Sequence, residues 1–273
     1  GSGMGGMGGM DAGDVEYPMY LINARAPSDP ETLAARPGDR ALLRIINASA
    51  DTVFNVALGS HDLTATHTDG YPMEAVTASA VRIGMGERYD AVVTLADGIF
   101  ALVAEPLGKR GMGRALVRTG SGAAPREADR PRELDASPLT VGALRAADSA
   151  RLPRREPDSV QDVLLSGSMA PNAWTINGRI YDDTAPLTIR EGDAGRLRIH
   201  NMTMMSHPLH IHGHTFQLGS AGGMGPRKDT VLLPHMGRVS VDFAATNPGS
   251  WMVHCHNAYH ADAGMMTRLD YAA

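Results

Sequence analysis

Eight residues in the last third of the chain have side chains suited to ligating metal, and they fall in two clusters. The first is His207-Pro-Leu-His210-Ile-His212-Gly-His214. The second is His254-Cys255-His256, followed by His260 and Met265. Cys255 is the only cysteine in the sequence. A thiolate, two imidazoles and a weak thioether make the trigonal His2Cys set with a long axial Met that holds blue copper for electron transfer. His207, Cys255, His260 and Met265 supply that set. His210, His212, His254 and His256 remain, too many for one electron-transfer ion. A structural zinc would prefer two or more cysteines or a closed His/Cys tetrad. The residue types therefore predict copper at more than one place.

The spacing also specifies geometry. Alternate side chains of a strand share a face. His210 and His212 should then point one way, as should His254 and His256, with Cys255 on the opposite face. One strand could touch a blue copper on its sulfur side and a second centre on its histidine side, with a single peptide link between Cys255 and either neighbour. Each ligating ring should have an outer partner that fixes its tautomer. His61, His67, His200, His214 and His235 lack such companions and read as structural or surface groups.

The elements that must hold these residues occur twice. Tyr20-Leu-Ile-Asn-Ala-Arg25 matches Trp174-Thr-Ile-Asn-Gly-Arg179, and the segment Gly38–Asn47 matches Gly192–Asn201, each 154 positions apart. Gly98–Ala104 matches Gly249–Cys255 at a spacing of 151. Repeats this long mean two similar domains. The first spacing carries His207, His210 and His212 onto Val53, Val56 and Leu58. The second carries His254-Cys255-His256 onto Val103-Ala104-Glu105. The ligands are present as a set in one copy and absent as a set in the other, so they behave as one functional unit. Short β-branched segments such as 41–46, 89–95 and 238–243, parted by Pro-Gly-Asp, Ala-Asp-Gly and Asn-Pro-Gly turns, predict an all-β fold of two sandwich or barrel domains. The expected organisation is a Met/Gly-rich tail or linker over 1–14, a first domain over 15–118, a charged, Pro-containing linker over 119–158 with a short helix near 141–147, and a second domain over 159–273.

Composition agrees. Of 273 residues, 43% are hydrophobic and 20% charged, with a net charge of −5, so no basic surface advertises nucleic-acid binding. No run of roughly 18 apolar residues is present to span a membrane as a helix. A single cysteine forms no internal disulfide, and the opening Gly-Ser-Gly-Met-Gly-Gly-Met-Gly-Gly-Met shows no signal peptide. It reads as an expression scar or the interior of a longer protein. Met4, Met7 and Met10 there are soft ligands suited to Cu(I), or simply part of a flexible linker.

The two clusters resemble the C-terminal copper motifs of the multicopper oxidases, the laccase and copper-resistance oxidase family. Gly86-Glu-Arg-Tyr-Asp90 looks like that family's middle, copper-free domain. The resemblance implies the second and third cupredoxin-like Greek-key domains of a three-domain oxidase, periplasmic or extracellular in its parent. Carried over position by position, it makes His207, Cys255, His260 and Met265 the type 1 ligands, His210 a type 2 ligand, and His212, His254 and His256 type 3 ligands. An axial Met265 implies a lower potential than Leu or Phe. Such enzymes oxidise a reducing substrate, a phenol or Cu(I), at the blue copper and reduce O2 to water at a trinuclear cluster. That cluster needs histidines from two His-x-His motifs of an N-terminal domain. Residues 1–199 contain only His61 and His67. Half the cluster is therefore missing, identical subunits cannot complete it, and the isolated chain should reduce little O2. Asp229 lies where some members place an acidic group beside the blue-copper histidine, to take a phenol proton or bind Cu(I). Met202, Met204, Met205 and Met224 line the same approach or fill core gaps. The competing function is a copper carrier or electron-transfer module that reduces no O2. A copper nitrite reductase fits less well, because its blue copper would be expected in the domain that is blank here.

Overall fold

A computed structural model of the chain describes residue 13 and residues 15–272. Met4, Met7 and Met10 lie outside the described residues. Strands form where the sequence alternates. Arg88–Thr94 places Tyr89, Ala91 and Val93 inward and the residues between them toward solvent, the period of two that a half-buried strand requires. Its partner Arg40–Ile46 runs antiparallel, with Leu43 opposite Ala91. Among the described residues, 32–118 form a five-stranded and a four-stranded sheet. Val56, Val81 and Ala115 of one share a core with Leu63, Ala91 and Val93 of the other. Residues 159–271 repeat the plan with sheets of six and five strands. Val163, Leu197 and Phe243 there pack against Leu209, Val253 and Leu269. In both halves an early strand pairs in parallel with a late one, Thr32–Ala34 with Gly113–Arg118 and Leu187–Ile189 with Met266–Tyr271. Only a crossing connection can make that pairing. The chain is all-β, as its turn signals and strand lengths predict.

The segment between the halves is not a free tether. Leu139 and Leu144 enter the first core, Leu134 is buried, and bridges join Val81 to Leu139 and Met73 to Ala146. The helix expected near 141–147 is a single 3-10 turn, Val141–Ala143. Gly142 and the extended backbone at Leu144 end it, so that Leu144 can be buried.

The two halves are joined by buried polar contacts. Lys228 has no exposed surface; its Nζ lies 3.2 Å from Asp69 Oδ2 and 3.1 Å from Glu87 Oε2 and donates to Thr68 Oγ1 at 2.7 Å. Asp69 Oδ2 also accepts the backbone N–H groups of Asp229 and Thr230. At the other end of the interface, Ala258 N donates to Ala50 O and Asn257 Nδ2 to Asp51 Oδ1.

Candidate metal centre

Three neighbouring strands carry the site. His207–Ile211 lies between Thr230–Leu233 and Ser250–Cys255, antiparallel to both. Its register puts His210 directly opposite His254 and Leu209 opposite Cys255. Directly opposed residues share a face, so the imidazoles of His210 and His254 meet on one side of the sheet. Cys255 turns to the other side, into the core with Leu209, Val253 and Met265. In the first half, the corresponding central strands set Val56 opposite Ala104.

On the core side, His207, Cys255 and His260 are wholly buried and their ligand atoms converge. His207 Nδ1 is 3.6 Å and His260 Nδ1 3.7 Å from Cys255 Sγ, and the two nitrogens are 2.9 Å apart. One trigonal ion at ordinary Zn-type bond lengths, near 2.0 Å to nitrogen and 2.3 Å to sulfur, spreads such donors by about 3.5–3.8 Å. The triangle is that size on its sulfur edges and slightly tighter between the nitrogens. His207 Nε2 donates to Thr203 Oγ1 at 2.7 Å, and Thr203 passes its own proton to Asn201 Oδ1 at 2.8 Å. This fixes the tautomer that leaves the Nδ1 lone pair aimed at the sulfur. Burial, reinforced by the charge His260 would carry, holds His207 well below the usual imidazole range. The ring is therefore neutral and able to ligate. Met265 is buried beside this set, its N–H bonded to His260 O and its carbonyl to Cys255 N. Trp174 covers both rings, with centroids 4.2 Å from His260 and 5.2 Å from His207.

On the opposite face, His210, His212 and His254 offer nitrogens within 4.8 Å of one another. His254 Nδ1 donates to Cys255 O at 2.8 Å and His210 Nδ1 to Asp229 O at 2.9 Å. Each therefore presents Nε2 to the cluster. His254 Nε2 is 3.0 Å from His212 Nε2. Burial lowers His254 to about 4 and also lowers His212 and His256, which keeps ligand nitrogens unprotonated at neutral pH. The His256 ring stands further off, 5.8 Å from His210 and 5.9 Å from His254 between centroids. A cleft of about 520 Å³, lined by Tyr71, His210, His212, Thr215, Arg227 and Thr246 among others, opens this face to solvent.

A buried thiolate–imidazole triangle and an exposed histidine cluster, back to back on one strand, form a donor arrangement suited to copper. Comparison with known proteins agrees. Residues 154–272 match the multicopper oxidase family, and so, separately, do residues 6–122. The chain belongs to the multicopper oxidase family. It is 49% identical to Multicopper oxidase MmcO of Mycobacterium tuberculosis, over 96% of this chain and 52% of that protein. It is 25% identical to a Copper resistance protein A homolog of Pseudomonas syringae pv. tomato, over 92% of this chain and 57% of that one. In fold it resembles the crystal structure of Fet3p, a multicopper oxidase that functions in iron import. The TM-score is 0.76 at 20% identity, covering 88% of this chain and 57% of that one. The chain thus spans about half the length of the curated relatives it matches. Multicopper oxidases bind copper, and the His207–Cys255–His260 triangle is compatible with their type 1 site.

Other expectations for this multicopper oxidase chain fare differently. Asp229 does not stand beside His207. His207 pairs with Leu233, whereas His210 pairs with Thr230 and Ile211 N donates to Asp229 O. Asp229 thus lies at the His210 end of the strand pair. Both of its carboxylate oxygens accept from Arg88, each at 2.7 Å. Burial alone would raise this carboxyl; the Arg88 hydrogen bonds outweigh it and hold Asp229 below the usual carboxylate range. Met202 and Met204 are half exposed on either side of Thr203, whose hydroxyl bonds His207, while Met205 is buried in the core. Met224 bonds Ala146 through its carbonyl, beside the interdomain segment.

Sequence reasoning missed several residues that shape the site. Trp174 caps the thiolate triangle, and its only signal is that it aligns with Tyr20 in the repeat. Asn201 shapes the loop that carries Thr203, donating to Met205 O and Pro234 O. Its repeat partner Asn47 does the same to Thr52 O and Ile83 O. Gly86 has φ +81°, and a Cβ there would lie 2.6 Å from the His256 ring. Only glycine fits on both counts, so the copper-free half reaches into the histidine side of the site.

Proposed function

We propose that this chain is the copper-binding portion of a laccase-like or cuprous oxidase, oxidising a phenol or Cu(I) on the sulfur side and returning the electrons to O2 on the histidine side. One observation carries the reading: His254, Cys255 and His256 serve two donor sets on opposite faces of one strand. His207, Cys255, His260 and Met265 would hold type 1 copper. His210 would hold type 2 copper, and His212, His254 and His256 the type 3 pair. Copper at these places supplies one-electron redox chemistry on the sulfur side and multi-electron reduction of O2 on the other. The residues supply the rest. Cys255 links the two faces through one peptide bond to either histidine. Trp174 keeps water from the triangle, and burial keeps the rings neutral. Arg88 holds the Asp229 carboxylate ionised, and the Asp229 carbonyl fixes the proton of His210 on Nδ1. With both carboxylate oxygens engaged, Asp229 supports His210 rather than taking a proton from a substrate. Reductant access is supported on the sulfur side by exposed Met202, Met204 and Met236 around Thr203; thioethers favour Cu(I), and a similar protein carries copper resistance in its name. The remaining cluster ligands would come from a further domain with two His-x-His motifs, docked over the solvent-open cleft.

Copper titration tests this. The chain should develop an intense blue thiolate absorption that Cys255→Ser abolishes, with little O2 consumption on its own. No blue absorption, or vigorous O2 reduction by the chain alone, would overturn it.

A further inference from the structure

The copper-free half does more than hold the other half in place, because one of its buried charges grips the residue on which His260 depends. Asn257 lies between His256 and the short helix Ala258–Asp262 that carries His260. Its Oδ1 accepts the N–H groups of Tyr259 at 3.0 Å and His260 at 3.3 Å, capping the helix. Its Nδ2 donates to Asp51 Oδ1 at 2.5 Å, across the domain boundary. Asp51 is held in turn. Its Oδ2 accepts from Lys109 Nζ at 2.9 Å and from Val15 N at 2.8 Å; its side chain has no exposed surface and that of Lys109 3%. Lys109 Nζ also donates to Asp51 O and Thr52 Oγ1, so the ion pair is fixed at both ends. Beside it, Ala258 N donates to Ala50 O at 2.9 Å, and the Tyr17 and Tyr259 hydroxyls meet at 3.0 Å.

The repeat shows that this clasp is not part of the shared scaffold. The spacing of 154 carries Asp51 onto Met205, and the spacing of 151 carries Asn257 back onto Pro106. Neither equivalent can make the bond. Both partners depart from the common pattern together, as the metal ligands do.

We propose that Asp51, oriented by Lys109, is a positioning residue for the type 1 copper: through Asn257 it sets the angle of the His260 helix, so that docking of the copper-free half determines the geometry of the blue site. The inference rests on the type 1 assignment under Proposed function. An amide with a fixed carboxylate on one end can cap the helix in only one orientation. Free of Asp51, the same amide could rotate, and the Nδ1 of His260 would no longer be held 3.7 Å from the sulfur.

The test uses the full chain loaded with Cu(II), comparing wild type with Asp51→Asn, Asn257→Ser, the double variant and Tyr71→Phe. Serine keeps a helix-capping oxygen but cannot reach Asp51. Tyr71→Phe removes a different interdomain bond, to Thr215 Oγ1, and serves as the control for a loosened interface. Cu(II) affinity by competition and the Cu(II) hyperfine splitting by electron paramagnetic resonance are read for each. Loss of an outer partner of a ligand weakens metal binding by roughly 10–100-fold. Asp51→Asn and Asn257→Ser should each fall in that range and change the splitting, the double variant should be no worse than the poorer single, and Tyr71→Phe should change neither. Wild-type affinity and splitting in folded Asp51→Asn, additive losses in the double variant, or an equal change in Tyr71→Phe would each overturn the proposal. If Asp51→Asn does not fold by circular dichroism, Asn257→Ser decides the matter alone, since it breaks the same contact and leaves the Asp51–Lys109 pair intact. A wild-type chain with no blue absorption defeats the type 1 assignment instead, and this proposal with it.

Discussion

Single side chains decide which nitrogen of each histidine faces the metal. Backbone carbonyls do this for His254 and His210, and a hydroxyl does it for His207. Thr203→Val keeps the shape of that last partner but removes the acceptor, freeing His207 to place its proton on Nδ1. Copper affinity should fall by roughly 10–100-fold, read as the metal concentration at half-maximal blue absorption; an unchanged titration would show that packing alone orients the ring. The ligands themselves were legible in the sequence because copper demands particular atoms, and few residue types supply them. Thr203, Trp174 and Asn257 were not, because their roles depend on which neighbour folding brings to them. Asp229 was legible as a charged residue but assigned to the wrong neighbour. Its strand position, four residues from Leu233, appears only once the register with His207 is known.

At the level of elements, the strand Thr230–Leu233 is placed by the charges just before it. Lys228 sits between two carboxylates of the other half, with Arg88 and Tyr89 close by. Lys228→Met would leave Asp69 and Glu87 buried without their cation, and breaking such a pair from one side typically costs about 3–5 kcal/mol. Thermal unfolding should show that loss, more at pH 8 than at pH 5, where Glu87 can take up a proton. Glu87 itself permits a sharper test. Burial raises its carboxyl above the ordinary 4.5, against the pull of Lys228, and Asp69 adds to the rise. A raised carboxyl contributes stability below its unfolded value and loses it as pH climbs through the folded one. Glu87→Gln mimics the protonated form and leaves Lys228 with Asp69. Its melting temperature should match wild type near pH 4.5 and exceed it increasingly toward neutrality; a variant less stable at pH 8 would mean that the second carboxylate is needed ionised. These elements were only partly readable. The strands 41–46, 89–95 and 238–243 follow from alternation and are found within a residue or so. The interdomain segment was misread because its charge density outweighed three leucines, Leu134, Leu139 and Leu144, spaced five apart and all buried.

At the scale of the whole molecule, the two faces of the site differ in completeness. The thiolate triangle is enclosed, with every ligand supplied by this chain and no exposed surface on His207, Cys255 or His260. The histidine face is open along a cleft and holds fewer rings than its geometry could accommodate. The halves are locked at both ends of their interface, by Lys228 near His210 and by Asp51 near His260, so the chain is rigid where a further domain would dock. Preorganised ligands bind metal without a conformational penalty, and the enclosed face should therefore fill first. In a copper titration, about one equivalent should saturate the blue absorption, with further copper held weakly and removed by mild chelation. Adding a separately purified cupredoxin domain that carries two His-x-His motifs should convert that weakly held copper to chelator-resistant copper and start O2 consumption, with the blue absorption unchanged. If the second domain binds yet O2 consumption stays at background, the chain works as an electron-transfer module. Blue absorption that appears only after that domain is added would show that the enclosed triangle is not preorganised.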